Sequence, residues 1–469
     1  MRRVGALLAL LAAAVVLLVI RNGLQQTPVP APVETEAPQP AYRMLYERPL
    51  SGFEGMTVAL DGGSYAVSSS MVHDANGALL GVTNMLGQPL TVDGRADFAL
   101  DASAWQMMLV AAQNLPVTAS YDALDLQACG LDNPAARVEL RYADGETIRL
   151  SVGKKTSSGL SCYVQMEGDP AVHLVPSDFY DVITRTLPEQ HALPGALRQT
   201  ADNAGQVAVV GLDDQGAMIA SRKGTDDQLL PWTVESPVQH SADTRRVEQL
   251  IEGICAIHAE TYIATVYDAA GLAAYGLDQP VRLIASFYDG TIRDIHVGAD
   301  AGDGMVYIRM DTTGDVYAVS RQQLDFSHRA DLDSLLDRFV ALVPIQQLAH
   351  AQIALADRSI LLEQRWQPED ENVASGYAIG GQTTDRQTFS SVYAKLIGLQ
   401  FDKTADAGAL PGKLKMDVRF VMRDGMETQL QVYAYNEHYD LIDAGAAGRF
   451  FIRCEKVDDL ILAIKGESL

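Results

Sequence analysis

The feature that most limits the possible folds is a pattern of glycines, aspartates and prolines that occurs twice, and a third time in weaker form. The first copy is GLDNPAARVELRYADGETIRLSVG at residues 130–153, and the second is GLDQPVRLIASFYDGTIRDIHVG at residues 276–298. Both contain Gly-Leu-Asp-x-Pro, two alternating segments joined by Asp-Gly, and a final Val-Gly. The third copy, LPGKLKMDVRFVMRDGMETQLQVY at residues 410–433, lacks the Gly-Leu-Asp opening. Such repetition predicts a tandem array of one structural unit.

The repeat depends on a small set of residues whose types and spacing recur. In the first two copies, the glycine of Asp-Gly precedes the last glycine by eight residues. The motif residues, for which we expect a structural role, are Gly130, Leu131, Asp132, Pro134, Asp144, Gly145, Gly153, Gly276, Leu277, Asp278, Pro280, Asp289, Gly290, Gly298, Asp424 and Gly425.

The chemistry of these residues predicts an antiparallel hairpin in each copy. Asp-Gly is a dipeptide that supplies the positive φ angles of a tight hairpin turn. The flanking segments alternate apolar and polar residues, as in Val138, Leu140 and Tyr142, so one face of each strand should be buried. The proline after Gly-Leu-Asp-x suits the start of a strand.

Each hairpin is expected to be one part of a larger unit. Strands are predicted at 56–60, 207–210 and 352–355, and helices at 104–113, 244–257 and 386–397. The predicted N-caps are Asp101 or Ser103, then Asp243, then Thr384 or Asp385. This order predicts α+β units in which helices pack on an antiparallel β-meander.

A second hairpin is predicted to follow the first. Residues 163–164 lead to 172–175 in the first copy, and residues 307–308 lead to 316–319 in the second. In the third copy, 451–452 match only the first half, and the chain is expected to pass directly to a helix at 457–464. Residues 332–349 are predicted to form a helical connection between the second and third units.

The complete prediction is an α+β protein with an N-terminal transmembrane helix followed by three tandem, diverged units. The signal anchor is placed at residues 1–21 and a proline-rich linker at 22–43. The repeat units are placed at 44–195, 196–342 and 343–469.

The N-terminal segment predicts attachment to a membrane. Residues 4–20 are an uninterrupted apolar run, preceded by Arg2 and Arg3 and followed by Arg21. As a helix the run is about 26 Å long, which is just enough to cross a bilayer. No small-x-small site follows it, so an uncleaved anchor is favoured over a cleaved signal peptide, which stays an alternative. The arginines predict a cytoplasmic N-terminus and an extracytoplasmic C-terminal bulk.

Charge and cysteine content argue against some classes of partner and site. The net charge of −24 disfavours nucleic acid as a partner, because phosphate binding needs a basic face. The four cysteines have no CxxC spacing, which argues against a zinc site. Cys129 and Cys162 either pair in an oxidising compartment or remain buried thiols.

No linear motif predicts a catalytic, cofactor or metal site. Ser151-x-x-Lys154 matches a spacing of penicillin-recognising enzymes, but it lies in a predicted strand and not at a helix start. The acidic turns at 300–304 and 311–315 are interpreted as solvated turns rather than calcium ligands. Trp232 and Trp366 are expected to pack against a sheet rather than to stack on sugars.

One combination of residues resembles a known family. The pattern Tyr275-Gly276-Leu277-Asp278-Gln279-Pro280, then Asp289-Gly290, Val297-Gly298 and Tyr307-Ile308, is similar to the bacterial family called domain of unknown function 4340. The first copy has Cys129 in place of the tyrosine. The resemblance covers residues 52–335 well and the remainder weakly. It implies a single-anchor envelope protein, accompanied in some members by ABC-transporter components, and it brings no catalytic residues.

We therefore expect a non-enzymatic, extracytoplasmic scaffold or binding protein of the bacterial cell envelope, accessory to an ABC transporter. The alternative is a binding module for cell-wall glycan or peptide that uses a groove between units. An envelope hydrolase ranks last, and no cofactor is expected. The expected partners are the membrane, through the N-terminal helix, and other envelope proteins.

Overall fold

A computed structural model describes residues 43–69, 72–73, 79–81, 90–95, 97–211, 217–222, 231–311, 313–326, 331–367, 374–406 and 408–467. These residues form two compact units. One contains the described residues up to 95 and residues 103–184, and the other contains 97–102 and 185–467. The predicted anchor at 1–21 and the linker up to residue 42 lie outside the described residues. Within the described ranges, no helix is long and apolar enough to cross a bilayer.

The first unit is built around one eight-stranded sheet, the first sheet. Its elements are β1 (Arg43–Glu47), β2 (Phe53–Leu60), β3 (Gly63–Ser69), β4 (Val72–His73), β5 (Leu79–Gly81), β6 (Leu90–Val92), α1 (Ala102–Gln113), β7 (Asn114–Val117), β8 (Ala119–Tyr121), α2 (Leu126–Cys129), β9 (Ala136–Tyr142), β10 (Thr147–Lys155), β11 (Ser161–Met166), β12 (Val172–Pro176) and α3 (Ser177–Ile183). The strand order is β6-β3-β2-β9-β10-β11-β12-β8, while β1 pairs with β7 and β4 with β5.

The second unit contains two sheets of nine strands. The second sheet and its helices are β13 (Ala204–Val210), β14 (Met218–Arg222), β15 (Trp232–Ser236), β16 (His240–Ser241), α4 (Thr244–Ala256), β17 (Thr261–Thr265), α5 (Ala269–Ala273), β18 (Val281–Phe287), β19 (Ile292–Gly302), β20 (Met305–Met310), β21 (Asp315–Ser320) and α6 (Leu332–Leu335). The third sheet and its helices are β22 (Leu348–Leu355), β23 (Ser359–Trp366), β24 (Ala374–Ile379), β25 (Gln382–Thr384), α7 (Arg386–Ile397), β26 (Lys403–Thr404), β27 (Leu414–Met422), β28 (Glu427–Ala434), β29 (Tyr439–Asp443), β30 (Arg449–Arg453) and α8 (Cys454–Glu467).

The three sheets follow one plan. The second runs β16-β15-β14-β13-β18-β19-β20-β21-β17, and the third runs β25-β24-β23-β22-β27-β28-β29-β30-β26. In each, a four-stranded meander continues a set of strands from before the long helix, and a strand from the segment after that helix closes the far edge. All pairings among these strands are antiparallel, which confirms the predicted α+β class. The boundaries proposed between repeat units stay predictions.

One face of each sheet is covered by the long helix of its repeat. The buried residues of α4 recur every three or four positions, as in Val247, Leu250, Ile251 and Ile254, which is the spacing of a one-sided helix. The opposite face, called here the outer face, carries the polar residues of the alternating strands. Helix packing and strand alternation therefore leave one polar sheet surface in each repeat.

The three long helices predicted before the hairpins are confirmed, and so are the predicted caps Asp243 and Asp385 of the second and third. The Asp243 carboxylate accepts a hydrogen bond from the Arg246 backbone N–H at 3.1 Å. The Asp385 carboxylate accepts one from the Thr388 N–H at 2.9 Å. Each bond satisfies a backbone donor that the first helical turn leaves free, which fixes where the helix begins. The first helix begins at Ala102, two residues earlier than predicted.

The Asp-Gly hairpins differ from the prediction in one detail. Gly145, Gly290 and Gly425 all have φ of +86°, but the aspartates before them do not have positive φ. Each aspartate instead accepts a hydrogen bond from the backbone two residues on, at 3.0 Å in the first hairpin and 2.9 Å in the other two. The glycine therefore supplies the left-handed bend, and the aspartate side chain fixes the turn before it.

One prediction about the third repeat is wrong. Residues 451–452 lie in β30, the last meander strand, and β29 precedes it as the first half of the second hairpin. Apolar alternation is the same in every meander strand, so the sequence did not tell the two strands apart.

The predicted helix at 332–349 is only the single turn α6, capped by Asp331. Leu336 then forms a bridge to Ala242, and Phe339 forms one to Gln400. The backbone after α6 is extended because Leu336 and Val340 are buried in that conformation, and because Pro344 has no N–H to donate within a helix.

Candidate functional site

The Gly-Leu-Asp motif forms a loop that packs against the outer face of its sheet. Gly130 ends α2 in the left-handed conformation with φ of +70°. A Cβ atom on Gly153, in β10, would lie closer than 3.0 Å to the Cys129 carbonyl oxygen. The loop backbone thus approaches the strand so closely that only glycine fits there.

The second repeat has the same contact. Gly276 has φ of +67°, and a Cβ on Gly298 would lie closer than 3.0 Å to the Tyr275 carbonyl oxygen. That oxygen accepts a hydrogen bond from the Ala299 N–H at 2.8 Å. Leu277 is buried beside it, and the Tyr275 ring meets the Tyr307 ring edge-on at 5.0 Å between centroids. The motif therefore serves packing.

The remaining motif residues also have structural positions. Asp132 and Asp278 are exposed, and Leu131 is buried like its counterpart in the second repeat. Pro134 and Pro280 each lie just before a meander strand, as expected. The Asp-Gly residues lie at the hairpin tips. The motif residues thus form three kinds of turn or contact and are not gathered into one polar site.

A polar groove lies on the outer face of the first sheet. This groove has a volume of about 710 Å³. Side chains from four neighbouring strands form its floor, and the turn at 166–170 between β11 and β12 forms one wall. The floor residues with hydrogen-bonding side chains are Thr57, Arg137, Glu139, Arg149, Ser151 and Gln165. A volume of this size suits a small ligand.

Ion pairs organise one side of this groove. Arg149 donates to Glu139 at 2.9 Å and to Glu167 at 2.9 Å. Beside them, Arg141 donates to the Thr57 hydroxyl at 2.7 Å. These bonds join side chains of neighbouring strands across the floor of the groove.

The wall of the groove is held by Asp169. One carboxylate oxygen accepts from the Ala171 N–H at 2.9 Å, and the other lies 3.1 Å from His173 Nε2. The hydrogen bond from Ala171, with a smaller contribution from His173, holds the pKa of Asp169 below its usual value. Gln165 Nε2 adds a bond to the Pro170 carbonyl at 3.3 Å.

A hydrogen-bonded line of side chains, which was not predicted from the sequence, runs from Ser120 through His173 to Asp169. Ser120 Oγ lies 2.9 Å from His173 Nδ1. Since Asp169 accepts from Nε2–H, the free Nδ1 lone pair accepts from the serine hydroxyl. The residue types are those of a hydrolase triad, although there the serine commonly meets Nε2 and the carboxylate Nδ1. Only the strand register brings residues 120 and 173 together.

Comparison with the other two sheets indicates that this line is a contact between the last meander strand and the edge strand beside it. The pair Ser120 and His173 corresponds to Tyr262 and Tyr317 in the second sheet, and to Thr404 and Phe450 in the third. Those pairs join the strand after the helix to the last meander strand through buried rings. In the first sheet a hydrogen bond makes the same connection, so the favoured role of Ser120 is structural.

In the second unit, two histidines pack against aromatic rings of those pairs. The His191 ring stacks on Tyr262 at 3.9 Å, and its Nε2 lies 3.6 Å from the buried Asp315 carboxylate. The His240 ring lies 5.2 Å from Phe450, and burial lowers the pKa of His240. Both rings are buried and therefore fill the core beside an edge strand instead of facing a ligand.

The remaining candidates from the sequence have ordinary surroundings. Cys129 and Cys162 are free, buried thiols, and burial raises the pKa of Cys162 to about 12. In the acidic turns, Asp300 pairs with Arg321 and Asp311 lies 3.5 Å from Arg293.

Ser151 and Lys154 both lie in β10 rather than at a helix start. Trp232 is fully buried, and the Arg423 guanidinium lies 4.3 Å from the centroid of the Trp366 ring. In the part of the chain that the structure describes, no group of three or more His, Cys, Asp or Glu side chains could hold a metal ion.

Comparison with known proteins gives one result. A comparison with curated proteins found no match, and neither did a comparison with solved structures. The model of the family described as domain of unknown function (DUF4340) matches residues 91–190 and 232–411. The match covers more than half of the chain, and it reaches into the third repeat, where the sequence resemblance was weak. The chain therefore belongs to the DUF4340 family.

Proposed function

We propose that this chain is a non-enzymatic, extracytoplasmic protein of the bacterial cell envelope that binds and holds other envelope components, an ABC transporter among them. Residues 4–20 would anchor it in the membrane with the N-terminus in the cytoplasm. The prolines of the 22–43 linker would hold the folded units away from the bilayer.

The observation that most supports this proposal is the use of one strand order three times with three different outer faces. We interpret the sheets as three tandem, diverged copies of one unit. The first outer face carries a groove with paired ions, the second an Arg282–Asp294 pair, and the third a Gln429–Asp417 pair. Repetition of a scaffold with varied surface chemistry is typical of proteins that bind partners through shape and surface.

Site-directed crosslinking in native membranes tests the partner. A photo-crosslinking residue at Gln429 on the third outer face is compared with one at Leu462, which is 67% exposed on α8. We expect ABC-transporter subunits to crosslink from position 429 and not from 462. Equal crosslinking from both positions, or none of transporter subunits, would overturn this part of the proposal.

The membrane topology is tested separately. Deleting residues 1–21 should give a soluble, folded fragment, and protease added to spheroplasts should digest the C-terminal bulk of the full chain. An insoluble fragment would indicate further membrane contact, and protection from protease would place the bulk in the cytoplasm.

A second candidate function is a binding module for cell-wall glycan or peptide. It is favoured by the groove of about 710 Å³, which lies on one sheet face rather than between units as the sequence suggested. Retention of glycan or peptide by the isolated chain, without transporter subunits, would favour it over the scaffold.

The non-enzymatic part of the proposal can be tested at Ser120. A fluorophosphonate probe labels a serine that a neighbouring base activates. We expect no labelling of Ser120, the same result as in a Ser120→Ala variant. Labelling that depends on Ser120 and His173 would contradict the proposal and favour a hydrolase.

A further inference from the structure

Arg137 stands out among the charged residues of the groove. It lies on β9, its side chain is exposed to the groove, and its strand partner on β10 is Ser151. Among the residues that the structure describes, no carboxylate pairs with its guanidinium and no side chain accepts a hydrogen bond from it. An arginine in a concave site with free donors is a place where an oxyanion can bind.

The other two sheets show what normally occupies this position. Arg137 lies eight residues before the hairpin glycine, as Arg282 and Asp417 do in the second and third sheets. The residue four positions after the glycine lies diagonally across on the next strand, two residues before the direct register partner. In the second sheet this is Asp294, which binds Arg282 at 2.5 Å. In the third it is Gln429, which donates to Asp417 at 2.9 Å.

The first sheet lacks this cross-strand pair. The residue four positions after its hairpin glycine is Arg149, so both positions hold cations and cannot neutralise each other. Arg149 is bound by Glu139 and Glu167. The carboxylate that Asp294 supplies to Arg282 in the second sheet therefore has no counterpart beside Arg137 within the described chain.

The acids of the groove do not compete for Arg137. Glu139 and Glu167 are engaged by Arg149, and Asp169 is engaged by Ala171 and His173. More distant acidic residues of this negatively charged chain are screened beyond about 8 Å at physiological salt. The Arg137 guanidinium and the hydroxyl of its strand partner Ser151 therefore remain as neighbouring donors that face the groove.

We propose that the groove binds a small organic carboxylate, whose carboxylate group takes the place that Asp294 occupies in the second sheet. Arg137 binds the two oxygens through its paired N–H groups, and Ser151 adds a hydroxyl donor from the next strand. The volume of about 710 Å³ accommodates a ligand of the size of a tripeptide or a sugar acid. This inference rests on the proposed binding function and names the chemistry of one ligand site.

Titration calorimetry on the full chain in detergent tests the inference with matched pairs of probes. N-acetyl-trialanine is compared with its C-terminal amide, and glucuronate is compared with glucose. In at least one pair, the acid should bind at least about tenfold more tightly than its neutral analogue, because a charged, two-point hydrogen bond is lost in the analogue. The pair that shows the difference identifies a peptide or a sugar as the source of the carboxylate.

The Arg137→Ala variant should abolish the preference for the acid, and Arg137→Lys should retain only part of it. Arg282→Ala is the matched control, because the corresponding arginine already binds Asp294, and it should leave the preference unchanged. Equal binding of both acids and their neutral analogues, or an undiminished preference in Arg137→Ala, would overturn the inference. Loss of transporter crosslinking with intact acid binding would instead refute the scaffold proposal alone.

Discussion

In all three repeats a loop lies close against a strand of the sheet. The glycine that makes room for this contact is on the strand in the first two repeats and in the loop in the third. In the second repeat, the strand residue Gly298 makes room for the loop carbonyl of Tyr275. In the third repeat the corresponding strand residue is Tyr433, and the loop residue Gly412 lies against the Ala434 carbonyl instead. A Cβ atom on Gly412 would lie closer than 3.0 Å to that oxygen.

The backbone contact itself is the same in both repeats. The Ala299 N–H donates to the Tyr275 carbonyl at 2.8 Å, and the equivalent Ala434 N–H donates to the Lys413 carbonyl at 2.9 Å. Close approach of loop and strand requires one glycine, but not a particular one. This explains why the third copy lost Gly-Leu-Asp while keeping the fold.

The largest effect should come from filling the contact in the second repeat. Gly298→Ala places a Cβ against a backbone carbonyl that cannot move without breaking its hydrogen bond, so we expect a loss of about 2–3 kcal/mol in stability. Gly195→Ala is the control, because nothing lies within 4 Å of the added atom. Urea unfolding followed by Trp232 fluorescence, with Trp105 and Trp366 replaced by Phe, reports on the second sheet.

Equal urea midpoints for Gly298→Ala and the control would show that the loop does not lie on the strand as described. The comparison between repeats would then lose its basis.

The same contact in the third repeat should give a slightly smaller effect. Gly412→Ala should cost about 2 kcal/mol, because the glycine lies in a loop that can shift more easily than a central strand. Gly408→Ala has open space around the added atom and is the control. Trp366 fluorescence follows the third sheet, and a neutral Gly412→Ala would mean that the two repeats do not share this contact.

Local signals explain what the sequence predicted well. The helices beginning after Asp243 and Asp385 were placed correctly because a capping side chain and its backbone partner are three residues apart. The hairpins at Gly145, Gly290 and Gly425 were found for the same reason, since one left-handed residue fixes the turn.

Contacts set by strand register explain what the sequence missed. The line from Ser120 to His173, and the meeting of Arg137 with Ser151, depend on which residues face each other in the finished sheet. Likewise, Phe451 was assigned to the wrong strand, because apolar alternation does not tell one meander strand from the next. Alternation predicted a polar face on each sheet, but not which charges would find partners there.

Substitutions at the hairpin tips should lower stability less than substitutions at Gly298 and Gly412, where the loop contacts the strand. Gly145 and Gly290 have open space where a Cβ atom would be added, so Gly145→Val or Gly290→Val adds only backbone strain at φ of +86°. We expect a loss of more than about 1 kcal/mol. Gly290→Asn should lose less, because asparagine tolerates the left-handed region. Unchanged melting of the valine variants would argue against the hairpin, and a loss matching Gly298→Ala would remove the distinction between strain and clash.

The smallest effect should appear at the aspartate before the turn glycine, and it should depend on pH. Hydrogen bonds from the Thr291 N–H and side chain, and from Gln199, lower the pKa of Asp289 in the folded state. The ionised carboxylate is the form that these donors favour. Its contribution is therefore fully present above the unfolded pKa, near 3.9, and is lost as the pH falls through the lower folded value.

Asp289→Ala should accordingly be less stable than the parent chain at pH 7, and the difference should shrink as the pH falls below about 4. Asp289→Asn keeps an acceptor oxygen but does not titrate, so its own stability difference isolates the contribution of the charge. Urea midpoints from Trp232 fluorescence between pH 7 and pH 3 measure both differences. A gap between parent and Asp289→Ala that stays constant over this range would show that ionisation of Asp289 adds nothing to the turn, and the absence of any gap would show that the glycine alone holds the turn in the second repeat.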